Sequence, residues 1–147
     1  MKTEQGLAQA ERFVGLDVGA ETVKAVELVR DGQALRWTRR HVVDHHKDPG
    51  QHVRAVLSDW GWDTLSGAAV TGRFSRQIAL PAIPVKQALS RGCRFLAGDE
   101  PVAVVSIGSH GFSVLERRAN GLEVFRGNSR CSRAPATFCD SSWNASG

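Results

Sequence analysis

Apolar residues come in short runs along the chain, and their spacing predicts an alternation of strands and helices. The first three runs are RFVGLDV, TVKAVELV and ALRWTRRHVV, which begin at residues 12, 22 and 34. Asp31 and Gly32 separate the second run from the third, and such a pair is typical of the turn of a β-hairpin. We therefore predict three antiparallel strands in this part of the chain.

A helical spacing follows the third run. Behind Pro49, a residue suited to the first turn of a helix, apolar side chains recur every three or four residues: Val53, Val56, Leu57 and Trp60. The segment GAAVTG then predicts a buried strand, and residues 85 to 96 predict a second helix. The predicted order is βββαβα.

The pattern of the first two strands returns later in the chain. The segment VVSIGSHGFSVLE aligns with GLDVGAETVKAVE at a constant offset of 89 residues. This alignment places Ser106 on Asp17, Gly108 on Gly19, Ser109 on Ala20, Ser113 on Lys24 and Glu116 on Glu27. A strand, a glycine turn and a second strand are thus used twice, which predicts two similar subdomains.

The repeated glycine turn has a composition that suits phosphate binding. A tight turn of this kind exposes backbone N–H groups that no strand pairing uses, and these groups bind phosphate oxygens. Asp17 ends the strand before the first turn, where a carboxylate can hold Mg²⁺ through water. Two such turns could grip a nucleoside triphosphate from both sides, whereas the alternative is an ordinary hairpin with a solvated aspartate.

These residues resemble a known superfamily. GLDVGAETVKAVEL resembles the first phosphate loop of the ATPase superfamily of actin, hexokinase and the heat-shock chaperones, and VSIGSHGFSV resembles its second phosphate loop. The resemblance implies an α/β, RNase H-like (actin-like ATPase) subdomain of order βββαβα, plus the first hairpins of a second copy. It implies that ATP is bound with Mg²⁺. The implied nucleotide-binding residues are Asp17 (to Mg²⁺ through water), Val18, Gly19, Ala20, Thr22, Lys24, Gly108 and Ser109. No catalytic base can be named.

A second motif narrows the resemblance from the superfamily to one of its families. EVFRGNSRCS resembles the Asn-x-x-Cys motif of the ATP-dependent activators of 2-hydroxyacyl-CoA dehydratases and benzoyl-CoA reductases. This family implies a cytoplasmic homodimer that shares one [4Fe–4S] cluster, with Cys131 as an iron ligand. ATP would drive a low-potential electron from reduced ferredoxin or flavodoxin to the dehydratase or reductase. Ser106 stands where the family normally has Asp, so this position offers a hydroxyl but no charge.

The last fifteen residues depart from the family, in which the cysteine motif continues through Gly-Thr-Gly into an amphipathic helix. The chain instead ends in RAPATFCDSSWNASG. With suitable codons, one extra base after Ser132 changes this segment to AGTGNFLRQLVERFG, which restores the glycine turn and the helical pattern. We therefore expect a truncated, inactive fragment that divides as follows: a polar leader (1–11), a first ATPase subdomain (12–98), the start of a second (99–132) and an out-of-frame tail (133–147).

Composition excludes several other classes. The formal charge of +4 comes from scattered Lys and Arg without interleaved aromatic residues, which argues against nucleic-acid binding. No apolar run reaches the roughly 20 residues of a membrane span, and the polar start argues against a signal peptide, so a cytoplasmic protein is expected. Cys93, Cys131 and Cys139 form no CxxC pair, which argues against zinc, and Cys93 is interpreted as a core residue.

The histidines do not predict a metal site, and two alternative functions stay open. His41, His45, His46 and His52 include no clear i, i+4 ligand pair on one element, so we expect them to be solvated and not to bind metal. Pilus-assembly and cell-division ATPases have similar opening motifs, and a nucleotide-binding scaffold of that type is one alternative. A fragment of a small-molecule kinase is another, although it requires a catalytic Asp that the sequence does not reveal.

Overall fold

The computed structural model describes residues 10–108 and 111–128. The chain divides into two units, one ending at Asp99 and the other beginning at Glu100. The elements of the first unit are β1 (Glu11–Val18), β2 (Thr22–Asp31), β3 (Ala34–Asp44), α1 (Pro49–Asp59), β4 (Gly67–Thr71) and α2 (Val85–Ala97). The predicted order βββαβα is therefore confirmed. No helix within the described residues is long and apolar enough to cross a membrane.

The first unit is built on a four-stranded sheet in the order β3-β2-β1-β4. β1 is antiparallel to β2 and parallel to β4. Because strand side chains alternate between the two faces, every second residue of β1 and β2 points toward α1. The buried core consists of Val14, Leu16, Val18, Val23, Ala25, Val53, Val56, Trp60 and Val70.

Charged residues connect α1 to the sheet at the end of this core. Glu27 is buried and accepts hydrogen bonds from Arg39 Nε (2.9 Å), Thr38 Oγ1 (2.7 Å) and Arg12 Nε (2.9 Å). Arg12 also donates to the backbone carbonyl of Trp60 (2.6 Å), which caps the C-terminal end of α1, where a cation is favourable. The Arg39 guanidinium, helped by Thr38 and Arg12, outweighs the effect of burial and lowers the pKa of Glu27 to about 2.

The second unit contains a three-stranded antiparallel sheet in the order β5-β6-β7. Its strands are β5 (Val102–Gly108), β6 (Gly111–Arg117) and β7 (Glu123–Asn128). Ser106 pairs with Ser113 in this sheet, and Asp17 pairs with Lys24 in the first. The two hairpins therefore have the same register at an offset of 89 residues, which confirms that a second copy of the hairpin is present.

One expectation about the core is wrong. Cys93 lies on α2, which has no buried residue, and its side chain is only partly buried. The apolar spacing of α2 predicts a helix with one buried side. In the described structure no residue of α2 is buried, so the spacing could not predict the exposure of Cys93. The thiol is therefore not a core residue.

Candidate functional site

Asp17 lies at the end of β1, between two neighbouring strands. It pairs in register with Lys24 of β2 on one side and with Thr71 of β4 on the other. Lys24 Nζ lies 3.2 Å from Asp17 Oδ2, and both side chains are about half exposed. An ion pair of this exposure is weak, so the carboxylate remains open to exchange its partner for another cation.

The turn after Asp17 presents unused backbone donors. The N–H of Gly19 donates to the carbonyl of Thr22 (2.9 Å) and closes the turn. The backbone N–H groups of Ala20 and Glu21 donate to no group among the described residues. Two free N–H groups beside a solvent-accessible carboxylate suit a phosphate oxygen and a water-linked divalent cation respectively.

His45 holds this turn from behind. Its side chain is buried, its own N–H donates to the carbonyl of Glu21 (2.9 Å), and its Nδ1 accepts from the N–H of Lys47 (3.1 Å). A neutral imidazole that accepts at Nδ1 carries its proton on Nε2, which therefore donates to the carbonyl of Gly19, 3.3 Å away. The carbonyls of Gly19 and Glu21 are thus both bound by His45.

The expectation that all four histidines are solvated is wrong for His45. The chain turns sharply after β3, with positive φ at His46 (45°) and Lys47 (71°). The His45 imidazole therefore lies against the turn that follows Asp17. Phe74 packs edge-on against the ring at 5.9 Å between centroids. No spacing rule signals such a residue, because its partners are backbone carbonyls 24 and 26 residues earlier.

Gly72 brings the end of β4 under Asp17. Its φ is +96°, and a Cβ built on it would lie 2.5 Å from Asp17 Oδ1 and 2.6 Å from the carbonyl oxygen of Val18. That carbonyl also accepts from the N–H of Phe74 (3.0 Å). Position 72 therefore has no room for a side chain. The segment GAAVTG predicts only a buried strand that ends at this glycine.

Two further features of β4 and the segment after it concern anion binding. Thr71 Oγ1 is buried and has no hydrogen-bond partner among the described residues. Arg73 follows Gly72 directly, and neither Arg73 nor Arg76 forms an ion pair within the part of the chain that the structure describes. An unsatisfied hydroxyl and unpaired guanidinium groups are donors for an anionic ligand.

Of the other predicted site residues, some lie within the described structure and some lie outside it. The side chain of Val18 is in the core, so this residue can contribute only backbone groups, and Thr22 begins β2. Gly108 ends β5, whereas Ser109 and Cys131 lie outside the described residues. Among the residues that are described, no three His, Cys, Asp or Glu side chains cluster as metal ligands.

Comparison with known proteins gives a fold. No family model matches the chain, and no curated protein matches it significantly. Component A of the (R)-2-hydroxyglutaryl-CoA dehydratase of Acidaminococcus fermentans superposes with a TM-score of 0.66 at 19% identity, over 82% of this chain and 48% of that one. The activator of the 2-hydroxyisocaproyl-CoA dehydratase from Clostridium difficile, with bound ADPNP, superposes with a TM-score of 0.63 at 22% identity, over 82% of this chain and 46% of that one.

A more distant neighbour broadens the comparison. The ethanolamine utilization protein EutJ from Carboxydothermus hydrogenoformans superposes with a TM-score of 0.52 at 16% identity, over 81% of this chain and 52% of that one. The chain has the actin-like ATPase fold. It spans about half the length of these structures. The turn for which the sequence predicts phosphate binding joins β1 to β2.

Proposed function

We propose that this chain is the nucleotide-binding first part of an ATP-dependent activator of a CoA-ester dehydratase or reductase. The observation that carries this proposal is the turn after Asp17, in which the N–H groups of Ala20 and Glu21 donate to no described residue while His45 binds the carbonyls of Gly19 and Glu21. Support comes from the fold shared with component A of one dehydratase and with the activator of another, the latter solved with bound ADPNP.

The residues of the turn have distinct proposed roles. Backbone N–H groups of Ala20 and Glu21 receive phosphate oxygens, with Gly19 giving the backbone its tight approach. Asp17 holds Mg²⁺ through water, which offsets the charge of the triphosphate. Lys24 then leaves Asp17 for a phosphate oxygen, a change that is inexpensive because the existing pair is exposed.

The other predicted nucleotide contacts follow from the resemblance. Val18 contributes through its backbone alone, since its side chain is buried. Thr22 offers its hydroxyl at the start of β2. Gly108 and Ser109 are proposed as a second phosphate loop, supported by the common register of the two hairpins.

The iron–sulfur part of the proposal rests on the motif from Asn128 to Cys131. Cys131 would ligate a [4Fe–4S] cluster shared across a homodimer, and the cluster would supply one-electron transfer from ferredoxin or flavodoxin to the dehydratase or reductase. This assignment is tested on the parent, by which we mean the longer protein that the restored reading frame would encode. Its cluster is reconstituted without oxygen, and iron and sulfide are then assayed. Loss of iron in Cys131→Ala is expected, and full iron in that variant would remove Cys131 from the site. A parent without iron would favour the scaffold or kinase alternatives.

Nucleotide binding can be tested on the chain itself. We expect weak Mg-ATP binding, with a dissociation constant on the order of 1 mM, and negligible hydrolysis, because the chain spans only about half the length of its structural neighbours. Calorimetry with Asp17→Asn should show a loss of the Mg²⁺-dependent part of the affinity. The matched control is Asp31→Asn, which changes a carboxylate at the end of β2 that is farther from the turn after Asp17.

One result would contradict the proposal for the turn, and another would contradict only the expected weak binding. Equal affinities of Asp17→Asn and Asp31→Asn would show that the phosphate site lies elsewhere. Micromolar affinity for Mg-ATP, together with hydrolysis that Asp17→Ala abolishes, would show that the chain binds and hydrolyses ATP without a further subdomain.

A further inference from the structure

The first unit contains a cleft of about 530 Å³ where the chain passes from β4 to α2. The segment that follows β4 lines it with Gly72, Arg73, Ser75 and Arg76, and the segment that enters α2 lines it with residues 82–85. We refer to this cavity as the arginine cleft. Its volume lies within the range of small-molecule sites, which is roughly 300 to 1,000 Å³.

Backbone hydrogen bonds fix both segments of the arginine cleft. The N–H of Phe74 donates to the carbonyl of Val18 (3.0 Å), and the N–H of Ile83 donates to the carbonyl of Val70 (2.8 Å). Phe74 also packs against the buried core of the first unit. The backbone that lines the cleft is therefore held by the fold itself, and small-molecule sites are usually preformed in this way.

The two arginines of the cleft have no anionic partner among the described residues. Arg73 and Arg76 are exposed, and neither forms an ion pair in that part of the chain. Residues 64–98 include five Lys and Arg but no Asp or Glu. Asp17 adjoins the glycine of the cleft, but its carboxylate already pairs with Lys24 Nζ at 3.2 Å. Both guanidinium groups are therefore available to an anion from outside the chain.

We propose that the arginine cleft binds the phosphate group of a small organic phosphate, whose carbon skeleton contacts the apolar residues of the same cleft. Two guanidinium groups match the charge of about −1.5 to −2 that a phosphate monoester carries at pH 7, whereas a carboxylate carries a single charge. The Ser75 hydroxyl is a further donor. Ile83, Pro84 and Val85 supply the apolar surface, and Val85 is 42% exposed.

This site differs from the nucleotide site proposed at the turn after Asp17. That turn would receive phosphate through backbone N–H groups together with Mg²⁺, whereas the arginine cleft offers side-chain cations and needs no metal. The inference therefore does not depend on the proposed nucleotide-binding function. A titration without Mg²⁺ measures the arginine cleft alone.

Calorimetry of the whole chain in EDTA tests the proposal, with phenyl phosphate as the probe. We expect one phenyl phosphate to bind per chain, and at least about tenfold weaker binding in Arg73→Gln and in Arg76→Gln, because each variant loses a charged donor. Both side chains are exposed, so these variants should keep the fold. Arg91→Gln is the matched control, since Arg91 is exposed on α2, lies outside the cleft and forms no ion pair with a described residue.

Two related probes separate the parts of the ligand. Inorganic phosphate should bind at least about fivefold more weakly than phenyl phosphate, and phenol should show no measurable binding. Val85→Ser should weaken the binding of phenyl phosphate but not that of inorganic phosphate, because Val85 contributes apolar surface alone. Equal affinities for phenyl phosphate and inorganic phosphate would overturn the organic part of the proposal and leave inorganic phosphate as the ligand.

Three results would overturn the proposal as a whole. They are an absence of saturable phenyl phosphate binding to the wild-type chain, equal binding of phenol and phenyl phosphate, and equal losses in Arg73→Gln, Arg76→Gln and Arg91→Gln. A second titration, in saturating Mg-ATP, asks whether the site is separate. Loss of phenyl phosphate binding there would show that the arginine cleft belongs to the nucleotide site. Failure of the chain to bind Mg-ATP would leave the result in EDTA unaffected.

Discussion

Gly72 allows the end of β4 to approach Asp17 and Val18 closely. Its positive φ and its contact with both Asp17 and the Val18 carbonyl leave no room for a side chain. Two separate costs therefore apply to any substitution there. One is the strain of a left-handed backbone, and the other is the collision with the carboxylate and the carbonyl.

We predict that Gly72→Ala destabilises the chain by about 3 kcal/mol or more, because both costs act together. Gly32→Ala is the matched control, since Gly32 has a φ of +60° but no atom within 4 Å of the added Cβ. The control should lose only about 1 kcal/mol through backbone strain. Urea denaturation measures both free energies of unfolding. Equal losses in the two variants would show that the collision with Asp17 contributes nothing.

Glu27 gives the chain a predicted pH dependence. Its pKa is lowered to about 2 in the folded chain from an ordinary value of 4.5, so the folded state favours the ionised carboxylate. The resulting stability, of about 3 kcal/mol at most, is present above pH 4.5 and is lost as the pH falls toward 2. We expect Glu27→Gln to be less stable at pH 7 and to lose much less stability than the wild type over this range.

The control for Glu27 is Glu11→Gln. Glu11 pairs with Arg30 on the surface, where both side chains are nearly half exposed, so its removal should change the acid dependence little. Denaturation curves at pH 7, 4 and 2.5 provide the comparison. An unchanged acid dependence in Glu27→Gln would show that the buried ion network does not govern acid stability.

At the scale of elements, α1 depends on a cap that the sequence places directly before Pro49. The Asp48 side chain accepts from the N–H of Gln51 (3.1 Å), which satisfies one of the free donors of the first helical turn. We predict that Asp48→Ala lowers the free energy of unfolding by about 1 kcal/mol, whereas Asp48→Asn, which keeps the acceptor, changes it by less. Thermal or urea denaturation distinguishes them, and equal losses would mean that charge, not capping, matters at this position.

The elements themselves could be predicted from the sequence because their signals are local. Alternating apolar residues mark β1 and β2, and the helical spacing behind Pro49 marks α1, so neighbouring residues contain the information. The predicted second helix ended at Leu96, one residue before the observed end at Ala97. The hairpin register followed from the repeat, since the same residue types recur at a fixed offset.

The environment of the site could not be predicted in the same way. His45 contacts backbone carbonyls of a distant turn, and Gly72 contacts Asp17 across two parallel strands. Such contacts depend on which strands become neighbours, and backbone carbonyls carry no residue-specific signal. Sequence patterns therefore predicted the turn after Asp17, between β1 and β2, but not His45 and Gly72, which contact it.

At the scale of the whole molecule, the two copies of the hairpin differ in what covers them. In the first copy, α1 follows the third strand and buries Leu16 and Val18; in the second, the corresponding Val105 and Ile107 are exposed. A helix encoded after β7 would occupy the same place in the repeat as α1 does after β3. The segment AGTGNFLRQLVERFG has the glycine turn and the apolar stripe that such a helix requires.

We therefore predict that residues 133–147, which lie outside the described structure, are read out of frame. Their sequence contains Pro135 where the family motif has its glycine turn, and Asp140 to Asn144 lack the apolar spacing of a packed helix. Sequencing the coding DNA around the Ser132 codon tests this prediction. One added base there should open a longer frame beginning with Ala-Gly-Thr-Gly. If no single-base insertion does so, the frameshift explanation is wrong, and RAPATFCDSSWNASG is the native sequence of residues 133–147.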